Sequence, residues 1–561
     1  MPSANKTSWF YILCLAAFTS LCGIAPRLHA QTSLPATALP AKEEVLAEKS
    51  AASSPSDDED TFSPDHQRFA WRDKRGEKWM VVVNGEAVGM LYDRIEWIIF
   101  SPDNQHVAYR AQRGKKWVVV LDGKEQGPEY DELGNPLYSP DGQHLAYRAR
   151  QAKDWMMVTD GQAGLAYREL GTPRYSPDSR RFSYAAKKGD KWLNVLDGKE
   201  GSIYDEAGNP SFSPDSQHVI YAARRQKKWV MILDQKEQER EMDSAGAPLG
   251  FTPETPEPVY LLGLGTNKGW TVSMPGHQGP PVDIVSRPVF GSNAGRFAYA
   301  GARVERRAFR GERAFGQVVI DGTPGPVFEG QSVGGVGFSQ AYLALGVVPT
   351  LVARWHGVSS PNLSPDGQHI AYAIRRGEKD FVVLLDGEAG PTFDNIPCGP
   401  SFARDGRLAF VGMQEDKLVL IVDAKRISEY TWIDKDLDDC SDVWFTDDGG
   451  HAIFTTIQSG RFFESGATAR AKRRVFLDGV AGKEYDATAI LKFHFGGGRL
   501  AYEVHRDKNA AGEASFVVIG DLEGPRYDDV APESLSFPDE NTATYLARRN
   551  RTILRVTHTL P

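Results

Sequence analysis

Short apolar runs alternate with polar turns along most of this chain, and the alternation itself repeats. From Lys116 to Tyr147 the order is Trp117-Val118-Val119-Val120-Leu121, the turn Asp122-Gly123, the segment Gly127-Pro128-Glu129-Tyr130-Asp131, the turn Ser139-Pro140-Asp141-Gly142, and the run Leu145-Ala146-Tyr147. The Ser-Pro-Asp triplet begins at Ser63, Ser101, Ser139, Ser176, Ser213 and Ser364, with altered copies after Phe251, Phe290, Phe402, Phe445, Phe495 and Phe537. Between Ser101 and Ser213 the interval is 37 or 38 residues, within the range of roughly 20–50 that marks repeat architectures. The runs are rich in Val, Tyr, Trp and Phe and bounded by Gly, Pro and Asp, which predicts strands joined by tight turns.

The turn residues assign roles within the unit. In Ser139-Pro140-Asp141-Gly142 the proline pre-sets φ and the glycine accepts φ > 0 where the next strand begins. Asp122-Gly123, Asp197-Gly198, Asp321-Gly322, Asp386-Gly387 and Asp478-Gly479 carry a hairpin signature after the third strand. That third strand is apolar at consecutive positions, so both of its faces are expected to be covered. One unit is then a sheet of about four strands, and a radial stack of such sheets is a β-propeller. The motif aromatic-Ser-Pro-Asp-Gly-x-x-aliphatic-Ala-Tyr at Tyr138–Tyr147, and its copy at Leu363–Tyr372, resembles the WD40-like (PD40) repeat of TolB-type periplasmic β-propellers. The resemblance covers nearly all of the mature chain and implies the fold and protein partners at the cell envelope. It implies no particular chemistry, and no helical domain of the kind that precedes the TolB propeller is visible.

Units one to six begin near Phe62, Phe100, Tyr138, Tyr175, Phe212 and Phe251, and each opens its third strand with a tryptophan: Trp79, Trp117, Trp155, Trp192, Trp229 and Trp270. The seventh has Phe315 in that place and a long basic hairpin from Arg303 to Arg313. Later starts fall at Phe290, Leu363, Phe402, Phe445, Phe495 and Phe537, and Phe338-Ser339 has the spacing of a truncated further unit. Rings of about four to eight blades are usual. The expected fold is therefore all-β: tandem β-propellers of twelve to thirteen four-stranded blades in two rings, six plus six or seven, at 61–285 and 286–561. The chain ends soon after a third strand, Thr552 to Val556, and the sequence does not show which segment completes the last unit.

Composition alters this picture little: 25% charged, 41% hydrophobic, net charge −9, with no bulk basicity to suggest nucleic acid as a partner. At the N-terminus, Lys6 precedes an apolar run from Trp9 to Ala25, and Leu28-His29-Ala30 before Gln31 fits a cleavage site. Residues 1–30 thus read as a secretory signal peptide cleaved between Ala30 and Gln31, leaving no stable membrane span. An uncleaved anchor and a lipoprotein at Cys22 are the alternatives. Residues 31–60, rich in Ala, Ser, Pro and acids, read as a flexible linker.

Several groups are candidates for chemistry. The second-to-third strand turns of the first half carry Arg75, Lys78, Arg113, Lys115, Lys116, Lys187, Lys188, Arg224, Arg225, Lys227 and Lys228, which would gather on one face as a rim for an anionic partner. The turns carrying Asp131-Glu132 and Asp205-Glu206 reach the same face and would partly neutralise it. The tryptophan series reads as inter-blade core, and His106, His144, His218 and His369 as a repeat-encoded strand position lacking the close partner ligands a metal needs. Cys398 and Cys440, at equivalent points of adjacent units, are candidates for a disulfide in an oxidising compartment. The acids Asp434, Asp436, Asp438, Asp439 and Asp442 lack the glycine and closing glutamate of an EF-hand loop. Gly330-Gln331-Ser332-Val333-Gly334 matches a nucleophile elbow without the α/β sheet that elbow requires.

These observations assign no catalytic residue, cofactor or metal. They describe an exported, periplasmic or secreted, non-catalytic binding or scaffold propeller of the bacterial envelope, with a protein partner and an unidentified small ligand, if any. The alternative is a hydrolase or carbohydrate-active enzyme with its site in the channel of the second half.

Overall fold

The computed structural model describes residues 39–49 and 61–560 except for short stretches, the longest being 332–357, 460–470, 506–514 and 432–438. Among the described residues the strands form twelve antiparallel sheets. In chain order these blades cover 61–92, 94–130, 132–167, 169–200, 206–242, 244–278, 284–331, 362–393, 395–431, 439–487, 489–523 and 529–559. Within a blade the strands follow one another as antiparallel neighbours, here named a to d. The a strands of successive blades touch one another, which places them innermost.

The repeat chemistry explains the turns. Ser139 Oγ donates to Asp141 Oδ1 at 2.5 Å and accepts the amide of His144 at 3.0 Å, while Gly142 takes φ 78°. The Asp141 amide then donates to Ser179 Oγ of the next blade, at 2.9 Å, so these turns are linked around the ring. The Ser139 hydrogen bond also holds the Asp141 carboxyl below its usual pKa. At the C-terminal end of strand c, on the same face, Asp122 and Gly123 both have positive φ, 48° and 77°, as a two-residue hairpin of type I′ requires. Asp122 Oδ1 accepts the Val107 amide at 2.9 Å and its Oδ2 lies 2.7 Å from His106 Nδ1. The same His-Asp pair recurs at His144–Asp160, His218–Asp234, His369–Asp386 and His451–Asp478, and Arg181–Asp197 replaces it in blade 4. The repeat-encoded histidines are thus clasps within single blades.

Strand c is buried on both faces, as its continuous apolar run predicts. Val118 and Val120 face the core shared with blade 1, whereas Val119 faces the core shared with blade 3. Tyr147 of strand b reaches across the seam, donating its hydroxyl to the Gln126 carbonyl of blade 2 at 2.9 Å.

Two expectations are corrected. The linker expected over residues 31–60 contains a strand, Lys42–Glu48, which pairs antiparallel with Thr552–Thr559 from Lys42↔Thr557 to Glu48↔Thr552. This is the fourth strand of the last blade, supplied by the other end of the chain. Its composition disguised it, because Glu43 and Glu44 are held by Arg549 and Arg555 at a half-exposed outer edge. The boundary at residue 285 is also not a seam. Blades 6 and 7 share a core through Val259, Val272, Phe297 and Tyr299, and blade 12 joins blade 1 through Ile553, Ala47, Phe69 and Trp71. Among the described residues no core joins blade 6 to blade 1 or blade 12 to blade 7, so the twelve sheets make one circuit where two rings were expected. The reason is that each b–c surface is complementary to the next copy of itself, and nothing in that rule stops the series at six. The signal peptide, with Ala30 and Gln31, and the unit start at Phe338-Ser339 lie outside the described residues.

The closure yields two expectations. Leu39 is 2% exposed in the core of blades 11 and 12, so Leu39→Ala should cost about 2–4 kcal/mol in chemical denaturation. An unchanged midpoint would show that the N-terminal segment does not seal the ring. His558, fully buried, donates from Nδ1 to the Pro40 carbonyl at 2.9 Å and accepts at Nε2 from the Tyr545 hydroxyl at 3.1 Å. Burial pushes its pKa down. The unfolded chain therefore takes up this proton near pH 6.5, at about the ordinary histidine value, before the folded chain does. Stability from this group is complete above that pH and lost as the pH falls below it. The melting temperature should drop on acidification, and less steeply in His558→Gln.

Candidate functional site

The b–c turns and the d-to-a crossovers share one face of the ring, and the Ser-Pro-Asp and Asp-Gly turns share the other. The first face collects the basic residues singled out above, and the structure pairs most of them with acids. Arg75 meets Asp73 at 2.8 Å, Lys78 meets Asp93 at 3.7 Å, and Arg113 bridges Glu125 and Glu129. Lys116 meets Asp131 at 2.6 Å, Lys187 meets Glu169 at 2.7 Å, and Lys188 meets Glu200 at 2.8 Å. Arg224 pairs with Glu206, and Arg225 with Glu237 at 3.1 Å. Lys228 is also engaged, and Lys115 and Lys227 are exposed without an ion pair among the described residues. The rim is therefore a mosaic of both signs. The crossover aspartates do double duty, since Asp131 Oδ2 also accepts the Ala152 amide of the following turn at 2.7 Å. Lys116 and that amide together hold the Asp131 carboxyl below its usual pKa.

The tryptophans stand beneath this mosaic. Trp79, Trp117, Trp155 and Trp229 are half-buried and cap the inter-blade cores. Cations cover several of them: Arg110 lies 5.4 Å and Arg94 6.0 Å from the Trp117 ring centre, and Arg148 and Arg150 flank Trp155. Register corrects the reading of blade 7: Gly316, opposite Ala302, holds the tryptophan position, and Phe315 is its neighbour opposite Arg303.

Blade 11 breaks the pattern in a way that composition could not reveal. Ser515 occupies the tryptophan position, His505 stands opposite it, and Glu503 takes the place that Arg110 has in blade 2. Ser515 Oγ lies 3.0 Å from His505 Nδ1, and His505 Nε2 lies 3.1 Å from Glu503 Oε2. The grouping has the members of a nucleophile–base–acid series, yet Ser515 is 2% exposed and Glu503 wholly buried. It serves as a polar core.

An open recess of about 900 Å³ lies between blades 6 and 7, lined by Leu264, Pro281, Asp283, Arg303, Val304, Glu305 and Phe315. Arg303 Nε donates to the Pro281 carbonyl at 3.1 Å, and Asp283 Oδ2 accepts the Val304 amide at 2.8 Å. The sequence showed the long hairpin here but not the recess, which needs blade 6 beside it. Of the remaining candidates, the Gly330–Gly334 motif centres on Ser332, and Ser332, Asp434, Asp436, Asp438 and Asp442 lie outside the described residues. Among the described residues no cluster of His, Cys, Asp and Glu is placed to hold a metal, and no helix is long and apolar enough to cross a membrane.

No protein-family model matches the chain, and no curated protein matches its sequence. Solved structures that it resembles include the tricorn protease, at 10% identity over 85% of this chain and 59% of that one, with a TM-score of 0.23. The β-propeller domain of the Trilobed protease from Pyrococcus furiosus matches at 12% identity over 63% of this chain and 94% of that one, TM-score 0.21. TolB from Acinetobacter baumannii matches at 14% identity over 59% and 77%, TM-score 0.19. The chain spans less than two thirds of the tricorn protease it matches.

Cys398 is buried and disulfide-bonded, and its strand, Asn395–Phe402, lies beside the strand Asp439–Cys440 of blade 10. Peptide mapping without reductant should recover Cys398 joined to Cys440. Reduction, or Cys398→Ser, should cost about 2–4 kcal/mol of stability. Recovery of both as free thiols from protein prepared without reductant would refute the pairing.

Proposed function

We propose that this chain is an exported, non-catalytic β-propeller that binds a protein partner in the bacterial envelope through the face carrying the b–c turns. The observation that carries this reading is the charge mosaic over the half-buried tryptophans of blades 1 to 5. Pairs such as Lys116–Asp131 and Arg113–Glu129 hold long side chains in place before a partner arrives, which lowers the ordering cost of association. Alternating signs also favour a partner of matching pattern over any polyanion, and the net charge of −9 argues the same way against nucleic acid. The signal-like N-terminus and the TolB-type repeat support the location. In the second half Ser515, although bonded to His505, is 2% exposed and so is not placed to attack a substrate.

The test is cross-linked capture from envelope extract with residues 31–561, beside a variant carrying Lys115→Ala, Arg225→Ala and Lys227→Ala. A specific partner should be retained by the native chain and reduced by about tenfold in the variant, since central charged contacts each carry upwards of 1 kcal/mol. Retention of no partner, or equal retention by both proteins, would overturn the assignment of this face.

A further inference from the structure

The recess between blades 6 and 7 has a feature that the mosaic lacks. In blade 7 strands b and c are Phe297–Arg307 and Gly311–Ile320, 11 and 10 residues, against 7 and 6 in blade 2. The extra length of strand c is paired on its outer edge by Phe328–Gln331, from Gly316↔Phe328 to Arg313↔Gln331. Side chains alternate along a strand, so Arg303, Glu305 and Phe315 continue the side of the hairpin that carries Tyr299 and Val319 into the core with blade 6. They overhang the top of blade 6, where Leu264 and Pro281 form the opposite wall.

The overhang also exposes backbone. The inner strand Ile284–Val285 pairs with strand b only at Ala302 and Gly301. Above that point the Asp283 carboxylate takes the Val304 amide, and bonding directions alternate. The Val304 carbonyl therefore faces the same edge, without a backbone partner among the described residues. An unpaired edge beside a recess is suited to strand addition by an extended chain, with the side-chain pocket supplying selectivity.

We infer that this recess binds an extended peptide segment carrying one acidic group next to an apolar side chain. The inference rests on the binding role proposed above and places a second, peptide-sized site on the same face. The terminal nitrogens of Arg303, whose Nε is already spent on Pro281, form a planar donor pair that matches a carboxylate. Phe315, Leu264 and Pro281 take the apolar neighbour, and about 900 Å³ lies within the roughly 300–1,000 Å³ usual for binding pockets. Asp283 and Glu305 repel a second acid, so the site selects singly acidic sequences over polyacidic ones.

The probe is a synthetic library of random peptides, about nine residues long and able to add as one short strand, in three pools: one Asp or Glu beside Leu or Phe, the same peptides with the amide, and a polyacidic pool. Each is passed over immobilised residues 31–561. The singly acidic pool should be retained about tenfold better than the amide pool, the difference one charge-assisted pair makes. Arg303→Ala should abolish that preference, while Lys425→Ala on the opposite face leaves it intact. Arg303 is exposed on the hairpin, so its removal should leave the melting temperature unchanged, which confirms that the fold is retained. Equal retention of acidic and amide pools, retention undiminished in Arg303→Ala, or no retention of any pool overturns the proposal. Loss of envelope-partner capture with peptide selectivity preserved would instead count against the mosaic face alone.

Discussion

A ring of sheets is stable only if its last sheet meets its first, and here that meeting depends on one short strand. Lys42–Glu48 pairs along Thr552–Thr559 and brings Ala47 against Phe69 and Trp71 of blade 1, while Leu39 fills the core between blades 11 and 12. Without it the last blade would end on an unpaired strand, and the seam with blade 1 would lose Ala47 and Leu46. Polar contacts reinforce the join: Glu43 accepts from Tyr527 and Arg549, and these bonds outweigh burial to hold its carboxyl below the usual pKa. The two chain ends thus stabilise each other, and every intervening blade inherits its closure from them.

The two faces of the ring solve the same turn problem with different chemistry. On the Ser-Pro-Asp face the bonds are short, local and repeated, and they run from each turn to the next, as from Asp141 to Ser179 and from Asp178 to Ser216. That face is architectural. On the other face long side chains do the linking, through ion pairs that cross from a strand to the neighbouring crossover. Exposed pairs of this kind contribute little stability each. Blade 7 departs from both schemes. Its longer hairpin brings Arg303 and Phe315 to the recess beside blade 6.

The sequence by itself determined the unit. Ser-Pro-Asp, Asp-Gly and the five-residue apolar run are local signals, set by φ preferences and burial on both faces, and each reappears in the structure in the role its chemistry implied. The face that gathers the basic turns was legible for the same reason, since equivalent turns of a repeat must share a face. Tertiary structure decided everything that depends on which copies become neighbours. The closing strand is rich in glutamate and looks like linker until Arg549 and Arg555 stand opposite it, and closure into one circuit follows from seams that are alike from blade to blade. Ser515 could be seen to meet His505, and Arg303 to overhang Pro281, only once register and packing had brought together residues whose separation along the chain carries no period.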